Sequence, residues 1–269
     1  MRHADQDAER WDTHVSAYER MFEPLTDSFN RAALAHLAPL HDEHLIDIAA
    51  GPGGAALLAA GQGAHVTAID FSPAMVARLH ARLQAHAANH IQARQADATA
   101  LPFPGASFTR ALSSFGITLL PDPAQGAAEM HRVLRPGSRA AIVTWTEPHN
   151  YALATRLREA TLAIRGPQPP TPLPPQLRHI DPAHLTALMA NAGFTEIQVH
   201  RIEATLPAPS AQALSAALDF APGMAAMLGA MGPDRAAILA CFTTALETEQ
   251  GRGPIALPAV AHIATATRP

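Results

Sequence analysis

The stretch Leu45-Ile46-Asp47-Ile48-Ala49-Ala50-Gly51-Pro52-Gly53-Gly54 decides how this chain folds. Leu45 to Ile48 is a short apolar run that reads as a strand, and it stops at a cluster of small residues. Ala55 to Ala60 then reads as a helix, closed by Gly61 and Gly63. A strand that enters a helix through such a turn leaves backbone amides free at the positive end of the helix dipole. A ligand can approach them closely. A tight turn without a ligand is the plain alternative.

Working outward, the same alternation repeats. His65 to Ile69 is a second strand, ending at Asp70. Ser72 caps the next helix with Pro73 at its first position, and that helix runs to about His86. Ile91 to Ala96 is a third strand, ending at Asp97, and Ser107 to Ser113 is a fourth. Pro121-Asp122-Pro123 opens a helix through Leu134, Arg135-Pro136-Gly137 reads as a turn, and Ala140 to Trp145 is a fifth strand. Strands separated by helices of this length imply right-handed crossovers and a parallel sheet. The reading is a doubly wound α/β core over residues 41–147. Glu196 to Leu206 and Ala259 to Thr267 extend it, giving a Rossmann-like, seven-stranded, mainly parallel sheet.

Residues 1–40 read as an N-terminal helical lid, with Trp11, Val15, Tyr18, Phe22 and Leu25 on one apolar face. Residues 148–269 read as helices that cap the substrate, together with the last two strands. Arg165 to Gln176 holds six prolines and reads as an extended surface loop. Met224, Met227 and Met231 recur at core spacing, and the second reading of them is a soft wall for an apolar ligand.

The glycine turn alone fits either a dinucleotide pyrophosphate or the amino-acid end of S-adenosylmethionine. Asp70, about 20 residues beyond the glycines, suits the two ribose hydroxyls of both. Asp97-Ala98 adds a carboxylate at the adenine edge, for which a nicotinamide fold has no regular need. Ala49 also stands where the dinucleotide fingerprint needs its first glycine.

With these blocks in order, residues 45–145 resemble the cofactor domain of class I S-adenosylmethionine-dependent methyltransferases. The subgroup includes the ubiquinone and menaquinone biosynthesis C-methyltransferases and many natural-product enzymes. The resemblance rests on Leu45–Gly53, Val66–Met75, Ala96–Phe103, Ser107–Phe115 and Glu129–Gly137, and covers somewhat over a third of the chain. It implies that Asp47, Ala49, Gly51 and Gly53 surround the methionine moiety, that Asp70 holds the ribose, and that Phe71 and Met75 pack on the adenine. It implies Asp97 and Ala98 at the adenine amine, and Ser113 and Ser114 near the sulfonium and amino group. Glu129, Arg132 and the Arg135-Pro136-Gly137 turn are expected to be structural. The sequence departs from the pattern at Ala49-Ala50, at Thr109 and at Ser138.

Composition narrows the partners. The chain has 269 residues, 48% of them hydrophobic and 16% charged, with a formal charge of -4, so no strong positive field recruits nucleic acid. Every one of its 19 basic residues is Arg, which excludes catalytic lysine chemistry. The lone Cys241 excludes an internal disulfide and a multi-cysteine metal site, and no metal is expected. Met1 to Glu19 is too polar for a signal peptide, and no apolar run is long enough to span a membrane. The expectation is a cytoplasmic enzyme, monomer or homodimer, with a small and largely apolar acceptor methylated at C, N or O.

Methyl transfer needs a general base only when the nucleophile must lose a proton. The candidates are His14, Tyr18 and His149. His14 and Tyr18 share a helix face, and His149 follows the fifth strand at the ligand-binding edge. His131 is expected to face solvent. The alternatives are a cofactor-binding homologue that does not methylate, a nicotinamide oxidoreductase, and a protein or RNA methyltransferase.

Overall fold

In the computed structural model, residues 4–86, 90–167 and 179–269 are described. The proline run from Pro169 to Pro175 lies outside them. Five strands form the parallel part of the sheet: β1 (His44–Ile48), β2 (His65–Asp70), β3 (Ile91–Gln95), β4 (Phe108–Ser114) and β5 (Leu134–Trp145). Two more, β6 (Thr195–Ala208) and β7 (Ile255–Thr267), complete the order β3-β2-β1-β4-β5-β7-β6. β7 runs antiparallel to both its neighbours. The order reverses between β1 and β4, and in open α/β sheets ligands bind at such a point.

The period of two along each strand sorts the core into two layers. Leu45, Ala141, Val143, Ala261 and Ile263 join one apolar cluster, while Ile46, Ile48, Ala140, Ile142 and Ala264 join the other. The first layer is covered by the N-terminal helices α1 (Ala8–Asp12), α2 (Val15–Ala17) and α3 (Glu23–Leu37), by α4 (Gly54–Ala60) and by α5 (Pro73–His86). A π-helical turn, Tyr18–Phe22, joins α2 to α3. The second layer lies under α6 (Pro123–Val133) and, after α7 (Ala152–Arg165), under α8 (Pro182–Asn191). Between β6 and β7 come α9 (Ala211–Ala216), α10 (Pro222–Ala230) and α11 (Arg235–Gln250). Among the described residues no single helix is long and apolar enough to cross a membrane.

The helix starts follow from short caps before proline. Ser72 Oγ accepts from the Met75 amide at 3.1 Å, Asp122 from Gln125 at 3.0 Å and Asp181 from Ala183 at 2.6 Å. In each case proline fills the first helical position, where no amide proton is needed.

Two boundaries differ from the sequence reading. Arg135-Pro136-Gly137 is no turn between helix and strand. It lies within β5, where the pairing with β4 steps from Phe108↔Leu134 to Arg110↔Arg139, so the residues between them bulge. The β6–β7 ribbon also runs further than expected, pairing Pro207 with Ala256 and Thr205 with Pro258. Proline demotes a strand on sequence grounds. Here β7 meets β5 only from Ala261 onward, so Pro258 has no β5 partner to satisfy.

Candidate active site

The C-terminal ends of β1, β2, β4 and β5 open into one cavity of about 880 Å³. That volume lies within the range of small-molecule sites, near its upper end.

Asp70 anchors one side. It is 6% exposed, its Oδ2 accepts from the Gly51 amide at 2.8 Å and its Oδ1 from the Ser72 amide at 2.9 Å. The carboxylate thus fixes both the glycine turn and the start of α5. Burial pushes its pKa up to about 6, against the pull of the Ser72, Gly51 and Phe71 amides. Asp47 is 1% exposed, and burial followed by the charge of Asp70 raises it to about 7, with the Ala56 backbone opposing.

Beside the main cavity lies a void of about 40 Å³ that shares Tyr18, Ala49, Gly51 and Ser114 with it. Asn30, Asp47 and Ser114 all line the void, and Asn30 Oδ1, Asp47 Oδ2 and Ser114 Oγ are sealed from solvent with no hydrogen-bond partner. Asn30 Nδ2 donates to Asp27 Oδ1 at 3.2 Å, which fixes the amide so that its oxygen is the free end. Such orphaned acceptors cost about 1–3 kcal/mol each until a donor arrives.

The opposite wall is aromatic. Trp11, Trp145, Tyr18 and Tyr151, all the Trp and Tyr residues of the chain, line the cavity. Phe22, Phe115 and Phe220 join them. Trp145 is the hub. It stacks on Phe115 at 4.2 Å and on Tyr151 at 5.1 Å between ring centroids. The π-helical turn brings Tyr18 and Phe22 edge to face at 5.6 Å, and Phe22 stacks on Phe220 at 4.4 Å. Met224 and Met227 close the wall, while Met231 is buried. The methionine stripe therefore serves both cavity and core. The charged residues lining the cavity are Asp5, Asp70 and Asp97, with no Arg or His among the described lining residues.

The N-terminal segment is tied down at both ends. Asp12 Oδ1 accepts from Ser72 Oγ at 2.6 Å and from the Ala74 amide at 3.1 Å. Glu19 holds Arg78 through two bonds of 2.7 Å, and Glu23 holds Arg82 at 2.6 Å. Asp5 Oδ1 accepts from the Gly223 amide at 2.6 Å, and Gln6 Nε2 donates to the Leu119 carbonyl at 3.0 Å.

Of the residues singled out from sequence, Tyr18, Ala49, Gly51, Asp70, Phe71, Met75, Asp97, Ala98 and Ser114 line the main cavity. Asp47 lines the small void. Four do not reach either. Ser113 is fully buried; its Oγ donates to the Ile48 carbonyl at 2.9 Å and accepts from the Ile117 amide at 3.0 Å, so it braces the strand end. Gly53 has φ +93°, and a side chain there would run into Leu79 of α5, so it serves packing. His14, at the start of α2, bonds back to the Arg10 carbonyl of α1 at 2.6 Å. His149 is exposed in a one-turn helix off the cavity, although its neighbour Pro148 lines it. His131 packs edge-on against Phe194 at 5.0 Å instead of facing solvent, and burial lowers its pKa.

Asp97 Oδ1 accepts from the Thr99 amide at 2.8 Å and from its hydroxyl at 2.7 Å. The loop beyond is clamped by Arg132, which donates to the Phe103 and Leu101 carbonyls at 2.8 and 2.9 Å while paired to Glu129 at 2.6 Å. Ala49 takes φ +60°, and its methyl fills the space that a side chain at Gly116 would need. Phe220, Asp5 and Asp12 carried no signal in the sequence, because each reaches the site from a remote segment.

Residues 46–142 match the family described as a methyltransferase domain. A demethylmenaquinone methyltransferase of Clavibacter sepedonicus is 37% identical over 142 residues, which cover 51% of this chain and 57% of that protein. The chain thus spans little more than half the length of that curated relative. Among solved structures, the YcgJ protein of Bacillus subtilis superposes with a TM-score of 0.60 at 16% identity, covering 90% of this chain and 99% of that one. The [4+2]-cyclase SpnF gives a TM-score of 0.56 at 21% identity, over 90% of this chain and 80% of that one. Residues 46–142 thus resemble a methyltransferase domain, and the chain shares the fold of these solved structures.

Proposed function

We propose that the protein transfers a methyl group from S-adenosylmethionine to a small, largely apolar organic acceptor. The observation that carries this is the chemical division of one cavity, with carboxylates and backbone amides at the ends of β1 and β2 and aromatic rings and methionines opposite. The residues fit the cofactor. Asn30 Oδ1, Asp47 Oδ2 and Ser114 Oγ offer acceptors that suit the three N–H donors of its ammonium. In this reading Asp70 would hold the ribose hydroxyls, Phe71 and Met75 would pack on the faces of the adenine, and Asp97 and Ala98 would meet its amine edge, all of them lining the cavity. Bound there, the cofactor supplies a methyl group on a sulfonium, open to in-line displacement by a nucleophile.

The chain's own residues align, shield and orient. The N-terminal helices act as the lid, and residues 148–269 supply the acceptor wall. Tyr18 and Tyr151 are held as neutral phenols, since burial raises both pKa values far above the ordinary range. Neither serves as a base near neutrality, and His14 and His149 stand away from the cavity. The acceptor is therefore one that a pocket with no histidine among its described lining residues, in a chain without lysine, can serve. The likeness to a demethylmenaquinone methyltransferase supports quinone-like or natural-product chemistry.

The first test is calorimetric titration with S-adenosylhomocysteine, on wild type and on Asp70→Ala. Binding that the substitution weakens by about 1–3 kcal/mol supports the reading. Absence of binding by wild type refutes it. Transfer of labelled methyl to quinols and phenols then separates a methyltransferase from a homologue that binds the cofactor without methylating.

A further inference from the structure

We infer that Arg82 is a positioning residue that ties the glycine turn to the N-terminal lid, so that filling the cofactor site and closing the lid are coupled. This rests on the proposed function and names how the same site is controlled. The turn needs support from outside. Ala49, Gly51 and Gly53 have φ of +60°, +56° and +93°, and Ala49 to Gly54 carry no polar side chain to hold that shape. Asp70 fixes it at the Gly51 amide, 2.8 Å away. Arg82, from α5, fixes it at the next residue, where Nη1 donates to the Pro52 carbonyl at 3.0 Å.

The same guanidinium holds the lid. Nη1 carries two protons, and it also donates to Glu23 Oε1 at 2.6 Å, while Nε lies 3.9 Å from Glu19 Oε1. Glu23 opens α3, and Glu19 sits in the π-helical turn that begins with Tyr18. The Arg82 and Glu23 side chains are only 16% and 9% exposed, so the pair is shielded from water and salt. Gly54 lets the carboxylate come so near the turn, since a Cβ there would lie 2.8 Å from Glu23 Oε1. Tyr18 lines the main cavity and the small void, and Glu23 lines the void, so the position of the lid shapes the pocket. Without Arg82 the turn loses one of two anchors and the lid keeps a desolvated carboxylate without its closest cation. Coupling of this kind is reciprocal: the factor by which closure tightens cofactor binding is the factor by which binding favours closure.

The test uses the full chain and two readouts, the affinity for S-adenosylhomocysteine by calorimetry and amide hydrogen exchange over residues 8–22 with and without saturating ligand. In wild type the ligand is expected to slow exchange there by at least about tenfold. Glu23→Met cuts the lid from the bridge and leaves Arg82 on Pro52. It is expected to reduce that protection to under about twofold and to weaken binding by the factor lost. Arg82→Gln is expected to lose the same protection and to weaken binding further, because the turn is released as well. Arg82→Lys keeps a point charge without the planar fork and is expected to recover part of both. A merely structural role would instead raise exchange in β1 and β5 alike and leave the ligand's effect on the lid intact. Wild-type binding that does not slow the lid, or protection of wild-type size in Glu23→Met, overturns the coupling and leaves the cofactor reading standing. Glu23→Met decides the matter even where Arg82→Gln fails to fold. Failure of wild type to bind S-adenosylhomocysteine overturns both.

Discussion

Cofactor affinity should depend steeply on pH, because the two carboxylates proposed to receive the cofactor's donors titrate near neutrality when the site is empty. Asp47 sits at about 7 and Asp70 at about 6, each raised first by burial, then Asp47 by the charge of Asp70 and Asp70 by that of Asp12. Binding an ammonium and two ribose hydroxyls requires both as acceptors, so each proton must leave first. Below about pH 7 the affinity for S-adenosylhomocysteine should fall about tenfold per pH unit, and below about pH 6 the slope should steepen toward two protons. From about pH 8 to about pH 5 the loss is on the order of a thousandfold. The stability of the ligand-free protein runs the opposite way. Both folded-state values exceed those of the unfolded chain, so between about pH 4 and pH 7 the folded state binds more protons. Unfolding free energy therefore falls as pH rises through that window. Calorimetry across the range, in buffers of different ionisation enthalpy, counts the protons released. Asp47→Asn should flatten the segment above pH 6. Constant affinity from about pH 8 to about pH 5.5, or no proton release near pH 6.5, would refute the argument.

Other expectations follow from the packing. Gly53→Ala places a side chain against Leu79 in a left-handed backbone, and should cost about 2–5 kcal/mol by denaturant unfolding; a loss under about 0.5 kcal/mol would mean that α5 shifts freely. His14→Ala and His149→Ala should each leave kcat within about twofold, and a drop of an order of magnitude in either would restore it as a base. Arg132→Met removes the clamp on the loop carrying Asp97. Its side chain is 40% exposed, so the stability loss should be modest, about 1–2 kcal/mol. KM for the cofactor should rise with kcat held, and the opposite pattern would place the clamp in the reaction itself.

The core of this fold was legible because its signals are local. Ser72-Pro73, Asp122-Pro123 and Asp181-Pro182 announce helix starts by cap chemistry alone, and all three do cap helices. Asp47, Asp70 and Asp97 stand at strand ends, and strand ends meet at one edge of a parallel sheet. The acceptor wall was less legible, because it is assembled from far apart in the chain. Phe220 reaches Phe22 across nearly two hundred positions, and Asp5 meets Gly223 at a separation of 218. No periodicity or spacing rule records such a meeting. Ser113 and Ser114 show the limit inside a motif. Adjacent residues on a strand point to opposite faces, so Ser114 lines the cavity while Ser113 braces Ile48 and Ile117. Histidine was the poorest guide. With 15 in the chain, an apt spacing was bound to arise by chance at His14 and His149.

The meeting of Ala49 with Gly116 constrains the order in which this sequence can change. Ala49 holds a left-handed backbone, and its methyl occupies the space that any side chain at 116 would need. A substitution at Gly116 made first meets that methyl and is lost. Ala49→Gly made first relieves backbone strain of about 1 kcal/mol and removes the nearest obstacle, leaving Ser113 Oγ at 3.0 Å and the Ile48 carbonyl at 3.2 Å to give by a few tenths of an ångström. Position 49 is thus a permissive gate. Variants that reshape the pocket wall beside Phe115 are accessible along a path that opens with Ala49→Gly, and closed along the reverse path, although both end at the same double mutant.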